Sequence, residues 1–242
     1  MVESARAYDV DARRTRAERI LDAAAELLER WGYKRLTMDD VAQHVGIGKG
    51  TLYLHWKTRE ALFGAVLQRE LSSLMVEFLA GIRADPREAL PHRLSRMYFL
   101  GIMRRPLLRA FFTDDLAMLG KLASGARGRN PAAPQLDVVR LDYARLLIEQ
   151  RVLRGDVSPE EVAYVYRGIL LGFVLSEPLD INEPSQLTLD RKADLLMGVV
   201  ERALDLDRRA SAATLQVIAA QANELFTLVA NNLGAELRQA YE

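Results

Sequence analysis

The stretch Thr37–Trp56, TMDDVAQHVGIGKGTLYLHW, decides how the rest of the chain is read. Its second half, Gly46–Trp56, gathers glycines, a lysine and a threonine, a composition suited to holding phosphate. A nucleotide-binding loop needs Gly, four residues, Gly-Lys and then Ser or Thr, directly after a β-strand. Here Gln43 stands five residues before Gly48, and Gly50 follows Lys49. The preceding TMDDVAQHV reads as a helix, with Thr37 as N-cap and Asp40 in the capping-box position. The nucleotide reading therefore fails, and the phosphate of a DNA backbone becomes the better candidate.

The same residues spell helix-turn-helix. A helix over 38–45 stops at Gly46, the turn is Gly46-Ile47-Gly48, and a second short helix follows from Lys49 to Trp56. Val41, Ala42, Val45, Ile47 and Leu52 supply an apolar set to pack together and against Ile20, Ala24 and Leu27 of a preceding helix. That arrangement leaves Lys49, Thr51, Tyr53 and His55 partly outward, with the front end of the second helix available to the major groove.

Working outward, helical spacing continues nearly throughout. Residues 13–31 read as an amphipathic helix closed by Gly32, and Thr58 caps a long helix from Arg59 to about Ile82. Asp85-Pro86-Arg87-Glu88 and Ser158-Pro159-Glu160-Glu161 are clear helix starts. Further helices are expected near 87–103, 106–122, 136–153, 159–177, 189–206 and 209–239, with loops at 124–134 and 178–188. No alternating strand pattern survives, so the fold class is all-α, with about nine to ten helices.

Composition agrees. Of 242 residues, 50% are hydrophobic and 27% charged, as in a soluble globular protein. There is no cysteine, which removes disulfides and thiolate metal sites. No apolar run reaches membrane-spanning length and the N-terminus has no signal-peptide core, so a cytoplasmic location is expected. The net charge is zero, yet residues 13–59 carry ten basic and six acidic groups, a basic block that points weakly to a polyanion.

Residues 16–67, RAERILDAAAELLERWGYKRLTMDDVAQHVGIGKGTLYLHWKTREALFGAVL, resemble the N-terminal domain of the tetracycline-repressor (TetR) family of bacterial transcription regulators. The ordered match runs through a helix, Gly32-Tyr33, Thr37-x-x-x-Val41-Ala42, Val45-Gly46-x-x-Lys49-Gly50-Thr51-Leu52-Tyr53, an aromatic and Glu60-Ala61-Leu62. The resemblance implies a three-helix DNA-binding domain over 13–58, after a flexible arm at 1–12. Residues 59–242 then form a helical ligand-binding and dimerisation domain, with an extra C-terminal helix at about 209–239.

It further implies that 49–55 is the recognition helix. Lys49 and Gly50 would approach base edges, and Thr37, Thr51, Tyr53 and His55 would hold phosphates, with Lys57 at the same edge. Gly48 stands where Ser is usual, and Leu54 replaces a frequent aromatic and could touch a thymine methyl. Arg59 replaces Lys, which keeps the charge.

The dimer surface is expected on helices 159–177 and 189–206, through Val162, Tyr166, Ile169, Leu170, Phe173, Leu195, Leu196 and Val199. A small apolar or amphipathic ligand is expected among Phe63, Met97, Phe111, Phe112, Met118, Tyr143 and Phe173. Arg96, Arg104 and Arg109 hint at an anionic group on it. No metal or cofactor is expected. The leading expectation is a homodimeric repressor released from a palindromic double-stranded DNA operator by a small effector. The alternative is a DNA-binding protein whose helical body docks a protein partner. With only His44, His55 and His92 as histidines, and no base or metal-ligand spacing beside Glu177, Asp180 and Glu183, catalysis is not expected.

Overall fold

The structure, a computed structural model, describes residues 2–113, 115, 119, 133–153, 156–177, 186–204 and 210–241. Ten α-helices form these residues: α1 (Val2–Trp31), α2 (Met38–Val45), α3 (Lys49–His55), α4 (Arg59–Ala84), α5 (Pro91–Met103), α6 (Pro106–Thr113), α7 (Ala133–Glu149), α8 (Pro159–Ser176), α9 (Leu189–Ala203) and α10 (Ala212–Tyr241). A 3-10 turn, Pro86–Ala89, precedes α5. No strand occurs among the described residues, and no helix there is long and apolar enough to cross a membrane.

Residues 1–72, 106–130 and 232–242 make one unit, and residues 73–105 and 131–231 make a second. The first unit includes residues 13–58, expected from sequence as the DNA-binding domain. Helices α4 and α10 contribute residues to both.

Helix α1 begins at Val2, so residues 2–12, expected as a flexible arm, continue the helix. Nothing between Val2 and Trp31 is Gly or Pro, and Ala, Arg, Glu and Leu favour helix throughout. It ends where expected. Gly32 adopts the left-handed conformation at φ 71°, and its N–H donates to the Leu28 carbonyl at 2.9 Å.

The core of the first unit is built from Ile20, Leu21, Ala24, Leu27 and Leu28 of α1, Val41 and Ala42 of α2, and Leu52 of α3. Leu62, Phe63 and Val66 of α4, Leu107 and Phe111 of α6, and Leu237 of α10 complete it. Fully burying each large aliphatic side chain contributes about 1.5–3 kcal/mol before entropy is counted.

Polar contacts set the start of α4 in the same unit. The Arg59 guanidinium lies 4.0 Å above the Tyr33 ring and donates to the carbonyls of Leu36 (3.1 Å) and Tyr33 (3.3 Å). The Tyr33 hydroxyl donates to Glu60 at 2.5 Å, and Thr58 accepts from the Ala61 N–H. Further along α4, Arg69 pairs with Asp22 (2.7 Å) and Glu18 (3.3 Å) of α1.

In the second unit α5 packs against α9, and α7 against α8. The expected single helix over 87–103 is interrupted. Pro91 disfavours helical backbone at the residue before it, and Leu90 is extended at φ −77°, ψ 143°. The start at Ser158 matches its sequence signature. Its N–H donates to Glu161 Oε2 at 2.7 Å, and the Glu161 N–H returns to Ser158 Oγ at 3.2 Å.

Candidate functional site

Thr37 fixes the first helix of the pair. Its N–H donates to Asp40 Oδ2 at 2.8 Å and the Asp40 N–H donates to Thr37 Oγ1 at 3.2 Å, a complete capping box. The Thr37 hydroxyl also lies 2.6 Å from Asp40 Oδ2. These bonds hold the Asp40 carboxyl below its ordinary range. Gly46, at φ 75°, closes α2 by donating toward the Ala42 and Gln43 carbonyls. Only glycine takes that left-handed backbone without strain. The Arg19 guanidinium donates to the Val45 carbonyl at 3.3 Å and so ties α1 to the end of α2.

Helix α3 starts at Gly48, an N-cap with no side-chain bond. Leu52 is fully buried, and Val45, Ile47 and Tyr53 pack partly buried against the same core. The anchored face turns the rest of α3 outward. Gly48, Lys49, Gly50 and Lys57 are exposed, Thr51 and His55 are half-buried, and Leu54 is 75% exposed. No heavy atom lies within 4 Å of the place a Cβ would take on Gly50. A surface can therefore approach the backbone closely there.

Lys49 is engaged. Its Nζ lies 2.8 Å from the Asp39 carboxylate, which raises its pKa through the hydrogen bond and the charge. Asp39 was not singled out in the sequence, although position 39 lies in the first turn of α2, where an acid suits the helix dipole. His55 behaves oppositely. Burial lowers its pKa, and the charges of Arg16 and Arg13 on α1 lower it further. The exposed arginines of α1 thus act electrostatically on the end of α3.

The residues expected around a ligand divide between the two units. Phe63 and Phe111 are core residues of the first unit, and Phe112 packs against that core edge-on to Phe111, at 5.3 Å. In the second unit Met97 is half-buried beside Gly81, and Phe173 meets Phe99 edge-on at 6.4 Å. Met118 lies outside the described residues. Tyr143 lines a cavity.

That cavity lies wholly within the second unit and has a volume of about 150 Å³. Met75, Phe78, Leu94, Val139, Leu147, Phe226 and Val229 supply apolar walls, and Tyr98, Tyr143 and Tyr166 add phenols. Arg140 and Arg167 are its charged lining residues. The Tyr143 hydroxyl donates to the Ala89 carbonyl and that of Tyr166 to the Pro91 carbonyl, the latter at 3.2 Å. Arg96 and Arg104, which hinted at an anion site, are paired instead with Asp190 and Asp194 of α9, the Arg96–Asp194 contact being 2.8 Å.

Of the residues expected at a dimer surface, Val162, Leu170 and Leu196 face the interior of their own unit, and the first two line the cavity. Tyr166, Ile169, Phe173, Leu195 and Val199 are half-buried. The exposed apolar face of α8 is a different stripe: Tyr164, Val165, Gly168, Leu171 and Gly172. Helical spacing identified α8 as apolar, but it is apolar on more than one side, so spacing could not tell inner face from outer.

A short second helix, braced on a capped first one and presenting its glycine-led front end, defines a helix-turn-helix DNA-binding protein. Residues 20–66 match the family described as "Bacterial regulatory proteins, tetR family". The HTH-type transcriptional regulator AcrR of Shigella flexneri is 26% identical over 178 residues, 70% of this chain and 81% of that protein. An uncharacterised HTH-type transcriptional regulator of Mycobacterium tuberculosis is 32% identical over 120 residues, 48% of this chain and 59% of that one. Among solved structures, NalD, the secondary repressor of the MexAB-OprM multidrug efflux pump in Pseudomonas aeruginosa, shares the fold. Its TM-score is 0.57 at 20% identity, over 82% of this chain and 99% of that chain. Residues 20–66 thus carry the DNA-binding helix-turn-helix of that family's model, and over 70% of its length the chain is similar to a DNA-binding transcriptional regulator.

Proposed function

We propose that the protein is a repressor that binds a palindromic operator as a homodimer and is released by a small molecule held in the second unit. The observation that carries this reading is the exposure of Lys49, Gly50 and Leu54 on a helix whose opposite side, at Leu52, is fixed in the core. Such a helix presents base-reading groups while phosphate donors flank it. Thr37, Thr51, Tyr53, His55 and Lys57 take the backbone, and Gly48 lets it come close.

The second copy docks on α8 and α9. Tyr164, Val165 and Leu171 are large apolar side chains left in solvent, and Gly168 and Gly172, one helical turn apart, have open space where a Cβ would stand. A helix of a second protomer can approach that stripe closely. The cavity supports a small effector, and the continuous helix α4 supplies Met75 and Phe78 to its wall and Leu62, Phe63 and Val66 to the core beneath α3. An effector that favours one setting of α4 weakens DNA binding by its differential affinity, typically about 1–3 kcal/mol.

Selection from a random duplex library tests the reading. The expected product is an inverted repeat with half-sites about 34–36 Å apart, or a multiple of that. A single unrepeated half-site, or recovery of no enriched sequence, would contradict it. Leu171→Arg is expected to yield a one-subunit mass by light scattering and to lose the repeat.

A further inference from the structure

We infer that the cavity of the second unit takes a one-ring aromatic acid, its ring among Phe78, Tyr98, Tyr143 and Phe226 and its carboxylate at Arg167 and Arg140. The inference rests on the effector reading only for its consequence on DNA; the binding itself stands on the cavity.

Size comes first. A volume of about 150 Å³ equals that of an engineered apolar cavity known to bind benzene, and falls below the roughly 300–1,000 Å³ of drug-sized pockets. A single ring matches that volume. Shape agrees, because five of the lining side chains are aromatic rings, and Tyr143 and Phe226 already stand 5.5 Å apart at a tilted 49°. A flat ring extends such a cluster by edge and offset contacts.

Charge selects the polar end. The lining contains no Asp or Glu, and its two ionised side chains are arginines. Arg140 is held by Asp137 at 2.7 Å, one turn away on α7. Arg167 has no ion-pair partner among the described residues. The three phenols add no negative charge. Burial pushes Tyr98 up to about 12 and raises Tyr143 and Tyr166 as well, so all stay neutral near pH 7. The Arg140 charge reaches Tyr98 and Tyr166, against whose burial it acts. The cationic end therefore borders the phenols, and a planar guanidinium matches a carboxylate by paired hydrogen bonds. An amine at that end would meet two cations and no anion in the lining.

Titration calorimetry of the full-length protein with benzoate, benzyl alcohol, benzylamine and hexanoate tests this. The expected result is one saturable site for benzoate, at least ten-fold tighter than for the other three. Arg167→Leu is expected to weaken benzoate about ten-fold and leave benzyl alcohol unchanged. Ala144→Leu and, at a half-buried wall position, Ala163→Leu are expected to fill the cavity and abolish binding of both, with helical content retained in at least one. Equal affinity for benzoate and benzyl alcohol, equal affinity for benzoate and hexanoate, or indifference to Arg167→Leu would overturn the assignment. Benzoate binding that leaves operator affinity unchanged supports the cavity assignment and overturns the effector reading instead.

Discussion

The Lys49 ammonium and the Asp39 carboxylate, ten residues apart in sequence, meet at 2.8 Å across the turn of the helix-turn-helix. Both side chains are more than half exposed, 56% and 61%, so the pair is solvent-screened and adds little to folding. On the proposed function its consequence lies in DNA binding, because Lys49 would have to leave Asp39 to reach a base edge or phosphate. Asp39→Asn is expected to raise affinity for all duplexes about two- to five-fold, to steepen the salt dependence by about one counterion, and to lower discrimination between sequences. Filter binding over a salt series on selected and scrambled duplexes measures all three. A decrease in affinity would show that Asp39 holds Lys49 in its working position.

His55 gives two pH slopes of opposite sign. In the free protein burial, Arg16 and Arg13 depress its pKa below the ordinary 6.5. The unfolded chain then binds the proton more readily. Stability from this group is complete above about pH 6.5 and is lost as pH falls through the lowered folded value. A DNA phosphate beside the ring reverses the preference, so affinity should rise as pH falls from about 7 to about 6. Urea unfolding and DNA titration of the wild type and His55→Gln check the pair, and the variant should flatten both slopes. A wild-type affinity that falls on acidification would remove His55 from the phosphate set.

Thr37 caps α2, and the proposed function gives it a phosphate contact as well. Thr37→Ala is expected to cost about 0.5–2 kcal/mol of stability through loss of the capping box, and to weaken DNA binding further. Thr37→Ser keeps the hydroxyl and should restore both. Chemical denaturation and a DNA titration at a temperature where both variants are folded separate the two effects.

Much of the helix layout was legible because its signals are local. Gly32 and Gly46 marked helix ends, Thr37 and Ser158 marked starts, and Leu52 belonged to a spacing that only one side of α3 could bury. The cavity was not legible, because it depends on which of several apolar helices meet. Phe63, Phe111 and Phe112 had the right chemistry and packed into another core, while Tyr98, Tyr166 and Phe226 became wall residues through contacts between distant segments. Asp39 was missed for a related reason: its partner lies beyond a turn whose geometry sequence does not give.

Close packing within the second unit is tested at Gly101. A Cβ there would stand 2.2 Å from Leu74 Cδ1, and Leu74 is buried. Gly101→Ala is expected to destabilise by about 1–3 kcal/mol through overpacking. In a Leu74→Ala background, where that methyl is gone, the same change should cost less than half as much. Thermal unfolding of the four proteins gives the coupling, and strict additivity would mean the two positions do not meet.

The central claim is that α3 reads DNA with its outward side. The direct measurement compares base-by-base binding profiles of the wild type and Lys49→Ala on the selected operator. The expected result is an affinity loss of roughly ten-fold or more, with preference relaxed at one symmetric pair of positions and retained elsewhere. An unchanged profile at unchanged affinity would contradict the account.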